Sequence, residues 1–217
     1  MLEASVIVTT YRQERTLSYL LTCLAQDQAS RRFEVIVVDD GSPVSTWKVI
    51  ATHAPRLREL RYVWQPNRGY RAGQARNLGI RLARGQVLVF IDADMVPLPG
   101  YVEAHVEWHR AHPHRLFSGN RLYCADDDIF PFLGEAPTAA EIRARLQMHI
   151  RNSRPKEERN RLAWSRSASP WKAIFAADMS MESADAIEFN PLLVGWGNWR
   201  YPSATTGNRR GGRKSRN

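Results

Sequence analysis

Three apolar runs that each stop at a polar cluster constrain this chain most. SVIVTT (5–10), FEVIVVDDGS (33–42) and QVLVFIDAD (86–94) are rich in β-branched residues and read as strands buried on both faces. After the first, Leu17, Leu20, Leu21 and Leu24 recur at i, i+3, i+4 and i+7, the spacing of one helix face. Residues 44–53 read as a helix and LRYVWQ (60–65) as another short strand. Ala72–Ala83 follows as a helix closed by Arg84 and Gly85, with the glycine as its C-cap. Pro97–Gly100 opens a helix carrying Val102, Val106 and His109, and RLFSGNRLY (115–123) reads as a fifth strand. Strand–helix alternation with short connections predicts an α/β fold, a mostly parallel central sheet with helices on both faces. Such sheets bind ligands outside the carboxyl ends of their strands, where TTY, DDGS and DAD all fall.

Beyond residue 123 the pattern thins. ADDDIFPFLGEAP (125–137) reads as a loop, and Thr138 with Glu141 forms a capping box for a helix running to about Ile150. Residues 151–170 are charged and unpatterned, the signature of a mobile surface loop. WKAIFAADMSM (171–181) resumes ordered structure, and SADAIEF (183–189) suits one or two helical turns. The net charge of +9 is unevenly placed: residues 200–217 hold six cations and no acid, which leaves +3 for residues 1–199. A mildly basic body fits a domain that handles phosphates or touches anionic lipid, and excludes specific nucleic-acid binding as the main role. Cys23 and Cys124, without CxxC spacing, suggest neither a zinc site nor a disulfide framework, so a reduced, cytoplasmic chain is expected. No stretch approaches the ~20 apolar residues that span a bilayer. Membrane contact would be peripheral, at the inner face.

The chemistry-bearing residues lie at the strand ends. Asp92 and Asp94 alternate with Ala93, so both carboxylates can point one way and hold a hard divalent cation, Mg²⁺ or Mn²⁺, completed by substrate phosphates. The plainer reading is a pair of solvated, strand-terminating acids. Asp39 and Asp40 precede Gly41, either as acceptors for a nucleobase N–H or ribose hydroxyl, or as an ordinary capped turn. NRGYRAGQARNLG (67–79) is glycine-rich and basic before a helix, so Arg71 or Arg76 can meet phosphate; it is neither a dinucleotide fingerprint nor a P-loop. HVEWH (105–109) is not HExxH, and His105 with His109 reads as a half-buried or surface pair.

Six segments in order resemble the family-two glycosyltransferases of the GT-A fold: SVIVTTYRQERTLSYLLTCLAQD, FEVIVVDDGS, NRGYRAGQARNLGI, GQVLVFIDADMVPLPG, AADMSM and FNPLLVGWG. The resemblance spans about residues 4–197. It implies a nucleotide-diphospho-sugar transferase, metal-dependent and inverting, that moves a sugar to an acceptor hydroxyl of a glycan or lipid-linked carrier in cell-envelope polysaccharide synthesis. On the donor side it implies that Thr9 and Tyr11 border the nucleobase, that Asp40 binds it, and that Arg71 approaches base and phosphates. Asp92 would lie near the ribose and, with Asp94, at the metal; a UDP-sugar is favoured as donor. On the acceptor side it implies Asp178, Ser180, Trp196 and Gly197.

The resemblance divides the chain into one domain, residues 1–197, with a donor half of about 1–123 and an acceptor half of about 124–197. Residues 198–217 then form a basic, disordered tail. The family keeps its carboxylate base just after Gly-Trp-Gly, whereas Asn198, Trp199, Arg200 and Tyr201 stand there, with no acid from Phe189 to Asn217. The abrupt change in composition points to a truncated product or a shifted reading frame from about Asn198. The alternative function is a nucleotide-sugar-binding domain without turnover.

Overall fold

The computed structural model describes residues 1–28, 32–43, 46–119, 121, 133–134, 136–152 and 176–190. Trp196, Gly197, the proposed tail, Cys124 and residues 153–170 of the loop expected at 151–170 lie outside the described residues, while Arg151 and Asn152 end a helix instead. Six strands form one sheet: β1 (Ala4–Thr10), β2 (Phe33–Asp39), β3 (Leu60–Trp64), β4 (Val87–Asp92), β5 (Phe117–Ser118) and β6 (Asp178–Glu182). Their spatial order is β3-β2-β1-β4-β6-β5. The first four pair in parallel, and β6 runs antiparallel to both β4 and β5.

Alternation along each strand sends its apolar side chains to both faces. Val6, Val8, Val35, Val37, Val89 and Ile91 face one layer, built from α1 (Glu14–Asp27), α2 (Thr46–His53) and α4 (Tyr101–Ala111). Ile36 and Val38 face α3 (Ala72–Leu82) through Ala75, Leu78 and Leu82, while Ile7, Leu88 and Phe90 meet Met179, Met181 and Phe189. Crossing from one face to the other after β3 reverses the strand order between β1 and β4. That reversal makes the crevice in which open α/β sheets take their ligands. The parallel register levels the strand ends there: Thr9 stands beside Asp92 and Thr10 beside Asp39.

The remaining helix, α5 (Ala139–Asn152), starts on the predicted capping box. Thr138 Oγ1 and Glu141 Oε2 lie 2.8 Å apart, and the Thr138 N–H donates to the same carboxylate at 2.7 Å. The helix docks on α1 through Ile142 against Tyr19 and Cys23. The buried Arg143 donates to Asp27 at 3.0 Å, to Gln26 at 2.7 Å and to the Pro97 carbonyl at 3.2 Å.

Several sequence expectations need correction. The second strand ends at Asp39 and the fourth at Asp92, because the chain turns as soon as the sheet edge is reached. Among the described residues of 115–123, only Phe117–Ser118 are strand. SADAIEF supplies a single 3-10 turn, Ser183–Asp185. Gly85 is not a left-handed cap: it is absent from the positive-φ glycines, and Ala83 closes α3 in an extended conformation. A Cβ at Gly85 would sit 2.2 Å from the Ala4 carbonyl carbon, so this glycine lets the loop before β4 touch the β1 backbone.

Candidate functional site

A cleft of about 430 Å³ opens at the carboxyl ends of β1, β2 and β4. Thr9, Tyr11, Asp40, Asp92 and Asp94 line it, joined by Gln13, Asn67, Gly69 and Tyr70, which the sequence did not single out. The two acids of the DDGS turn divide their work. Asp39 is 1% exposed; its Oδ1 accepts the Ser42 N–H and hydroxyl at 2.8 and 2.7 Å, and its Oδ2 accepts the Tyr62 hydroxyl at 3.0 Å. Asp39 therefore builds the turn, and Asp40 lines the cleft. Gly41 takes φ +86°, and a Cβ there would strike the Asn67 backbone at 2.3 Å, so the turn needs glycine on both counts. Asp40 accepts from Gln65 Nε2 at 2.6 Å and from the Arg71 backbone N–H at 2.9 Å. Arg71 thus meets the site through its backbone, while its guanidinium bonds Gln74 Oε1 at 3.1 Å and the Pro66 carbonyl.

The Asp92 and Asp94 pair reaches the cleft by a different geometry from strand alternation. The backbone turns directly after Asp92, where the Ala93 N–H donates to Thr9 O and the Met95 N–H to Asp92 O, both at 3.0 Å. Asp92 Oδ1 accepts the Thr9 hydroxyl at 2.7 Å and Arg76 Nη2 at 2.5 Å. Thr9 therefore spends its hydroxyl on Asp92. Arg76, a phosphate candidate in the sequence, is buried behind the carboxylate at 5% exposure. Asp94 is exposed at the cleft wall, within reach of Gln13 and of the Arg121 charge. Crowding at that wall and then the charge of Asp92 push its pKa above the ordinary carboxylate value, against a hydrogen bond from Gln13. Two neighbouring carboxylates, one raised by the other, fit a hard divalent cation as oxygen donors.

On the acceptor side, Asp178 and Ser180 lie on β6 but are 2% and 0% exposed. Asp178 accepts the Tyr101 hydroxyl at 2.9 Å and lies 3.7 Å from His105 Nε2. Ser180 Oγ sits 2.8 Å from both His105 Nδ1 and His109 Nε2, donating to one ring and accepting from the other. His105 and His109 are thus fully buried, not half-exposed, because the two β6 side chains give them polar partners inside the core. The segment leading toward Trp196 is held by α3. Asn77 donates to Phe189 O at 2.8 Å and accepts its N–H at 2.6 Å. The metal-capable group of His114, Glu182 and Asp185 lies near the amino end of β4, away from the cleft, and there His114 Nδ1 contacts Asp185 at 3.1 Å.

Comparison with known proteins bears on this architecture. Residues 5–169 match the model of Glycosyl transferase family 2. The chain is 40% identical over 134 residues to hyaluronan synthase of Pasteurella multocida, which covers 61% of this chain and 14% of that protein. It is 41% identical over 106 residues to validoxylamine A glucosyltransferase of Streptomyces hygroscopicus subsp. limoneus, covering 48% of this chain and 23% of the relative. It therefore spans less than a quarter of the length of either. Among solved structures, it is similar to the mannosyltransferase PcManGT from Pyrobaculum calidifontis in complex with GDP-Man and Mn²⁺. That likeness has a TM-score of 0.48 and 25% identity over 59% of this chain and 37% of the other. With more than half of its residues matched, the chain belongs to glycosyl transferase family 2 and carries that family's α/β, GT-A-type domain.

Proposed function

We propose that this domain binds a nucleoside-diphosphate sugar in the cleft at the ends of β1, β2 and β4 and passes the sugar to an acceptor hydroxyl. The observation that carries the reading is the convergence of Asp40, Asp92 and Asp94 on one cleft of about 430 Å³ at the switch point of the sheet. Asp40 offers a fixed carboxylate to a nucleobase N–H, held from behind by Gln65 and the Arg71 N–H. Tyr11 and Tyr70 present ring surface at the same opening, 38% and 53% exposed. Asp94, with Asp92, would hold Mg²⁺ or Mn²⁺, which supplies charge neutralisation for a diphosphate leaving group. In the transfer, the acceptor oxygen bonds to the anomeric carbon as the bond to the β-phosphate oxygen breaks, and a base removes the acceptor proton. UDP-sugars are the favoured donors, and glycans or lipid-linked carriers the acceptors. Among the described residues no helix is long and apolar enough to cross a membrane, and membrane contact in this reading is peripheral.

The test is calorimetry with UDP- and GDP-sugars in Mn²⁺, beside a transfer assay. Asp94→Asn should abolish the Mn²⁺-dependent part of binding; if neither nucleotide binds the wild type, the proposal falls. A second reading is binding without turnover, since Asn198, Trp199, Arg200 and Tyr201 stand where the resemblance places a carboxylate base. Tight donor binding with no sugar transferred to any acceptor supports it over the first.

A further inference from the structure

Aromatic rings left in water are concentrated at one end of the sheet. Tyr11, Trp47, Trp64 and Tyr70 are the exposed aromatic side chains among the described residues, and all four stand at the carboxyl ends of β1, β2 and β3. Tyr11 and Tyr70 line the cleft, whereas the two tryptophans lie outside it and are 61% and 52% exposed. Trp64 ends the edge strand β3, level with Asp39 of β2. Leu60 and Tyr62 of that strand pack into the layer of α1, α2 and α4, so alternation sends Trp64 to the same face. Trp47 lies in the first turn of α2, which follows the DDGS turn and buries Thr46, Ile50 and His53. Helical spacing sets it about 120° from His53, whose ring meets Thr22 of α1, so Trp47 occupies the flank toward β3.

Charge follows the same edge. Residues 41–91, which build α2, β3 and α3, hold nine cations and a single acid, Glu59, at the opposite end of β3. Lys48 beside Trp47 and Arg68 in the loop after β3 are exposed and have no ion pair among the described residues. Arg12 joins them: its N–H donates to Ser42 Oγ at 2.9 Å, and its guanidinium lies 5.1 Å from the Tyr11 ring centre. Indoles that keep apolar ring surface in water beside uncompensated cations have the composition of a membrane-interface contact. We propose that the corner formed by Arg12, Trp47, Lys48, Trp64 and Arg68 docks on a bilayer surface rich in anionic lipid, with the indoles at headgroup level and the cations on lipid phosphates. Docking there sets the cleft mouth beside the headgroup plane, where a lipid-linked acceptor would present its hydroxyl. That consequence rests on the transfer reading above; the docking itself does not. An acidic glycan is the less suited occupant, because a polyanion running from this corner into the cleft meets Asp40, Asp92 and Asp94.

The experiment is sedimentation of the whole chain, without nucleotide, with vesicles of phosphatidylcholine alone and of equimolar phosphatidylcholine and phosphatidylglycerol. Wild type should bind the mixed vesicles, bind phosphatidylcholine about tenfold less or weaker still, and let go as salt is raised. Residues 200–217 add their six cations equally to every variant, so differences between variants report the corner. Lys48→Gln with Arg68→Gln should lose about tenfold or more on mixed vesicles, and Trp47→Ser with Trp64→Ser about tenfold. Arg56→Gln with Arg58→Gln is the control: both arginines are exposed but follow the far end of α2, roughly 12 Å along the helix from Lys48 and beyond a Debye length. That pair should stay within about twofold of wild type. If Trp64→Ser disturbs the edge strand, Trp47→Ser alone decides, with an expected loss of about threefold. No binding to mixed vesicles, equal binding to both kinds, an unchanged tryptophan pair or an equal loss in the control overturns the proposal. So does retention on immobilised acidic polysaccharide without vesicle binding, which would assign the corner to a glycan. A chain that docks on vesicles yet binds no nucleotide sugar would sink the donor reading and leave this result standing.

Discussion

Adjacent acids in this protein have opposite duties, and the partner set of each side chain decides which. Asp39 accepts three hydrogen bonds from its own turn and from Tyr62, whereas Asp40 turns a carboxylate toward the cleft. The Tyr62 hydroxyl pays the electrostatic cost: burial, and then the Asp39 charge, raise its pKa above the tyrosine norm. Substitution should separate the two roles. Asp40→Asn, which loses the charge offered to a base N–H, should weaken nucleotide binding by about tenfold or more with little change in unfolding free energy. Asp39→Asn should instead lower stability by about 1–2 kcal/mol, because a turn acceptor is lost inside the protein. Calorimetry and urea denaturation on both variants check the pair, and a stability loss confined to Asp40→Asn would reverse the assignment. The doublet itself was plain in the sequence. Which acid faced the ligand followed there only from family resemblance, since both a capped turn and a base contact satisfy the same letters.

At the scale of elements, periodicity located the structure well wherever a long apolar face existed. The leucines of α1 and the β-branched runs of β1, β2 and β4 bury as their spacing requires. It failed at ends and at short pieces. Among its described residues, RLFSGNRLY yields Phe117–Ser118 as strand, because a partner, β6, is needed to define it and that partner lies some 60 residues away. Gly85 illustrates a different blindness: its cause is an approach between backbones, not a turn, and no local pattern encodes that. The two readings of Gly85 predict different mutants. As a cap, Gly85→Ala would cost about 1 kcal/mol. As a contact with Ala4 and Ser5 at 2.2–2.4 Å, it must displace backbone of a central strand and should cost about 3 kcal/mol. Gly69→Ala is the control: it has φ +88° but open space around the missing Cβ, so it should cost only about 1 kcal/mol. Thermal denaturation of both variants should rank Gly85→Ala far below Gly69→Ala; equal losses would restore the cap.

The whole molecule adds contacts no segment can announce. Asn77 and Phe189 are 112 residues apart, as HVEWH and the AADMSM serine are about 70 apart, and only the assembled sheet brings each pair together. Histidines buried by the assembled fold give it a dependence on pH. His53 is buried between α1 and α2, with Thr22 at 3.1 Å from Nε2 and the Val49 carbonyl at 2.9 Å from Nδ1. Burial, and next the Arg56 charge, lower its pKa, while the carbonyls of Val49 and Ser18 oppose the shift. His109 is lowered too, by burial and by His105, against Glu182 and Asp185. A histidine whose pKa falls on folding binds fewer protons in the native than in the unfolded state, so stability rises with pH. The contribution is whole above the unfolded value near 6.5 and is lost as pH falls below it toward the folded values. Glu34 extends the same slope at lower pH. It is fully buried, and although burial raises its pKa, Ser5, Arg84 and Arg61 together bring it below the free value, so its stabilising charge disappears only on further acidification. The melting temperature should therefore be level between about pH 7.5 and 8.5, decline from about 6.5 downward, and steepen again through the carboxylate range. Replacing His53 with glutamine should flatten the first decline and leave the second. A melting temperature independent of pH between 7 and 5 would show that folding leaves the proton affinity of His53 and His109 unchanged.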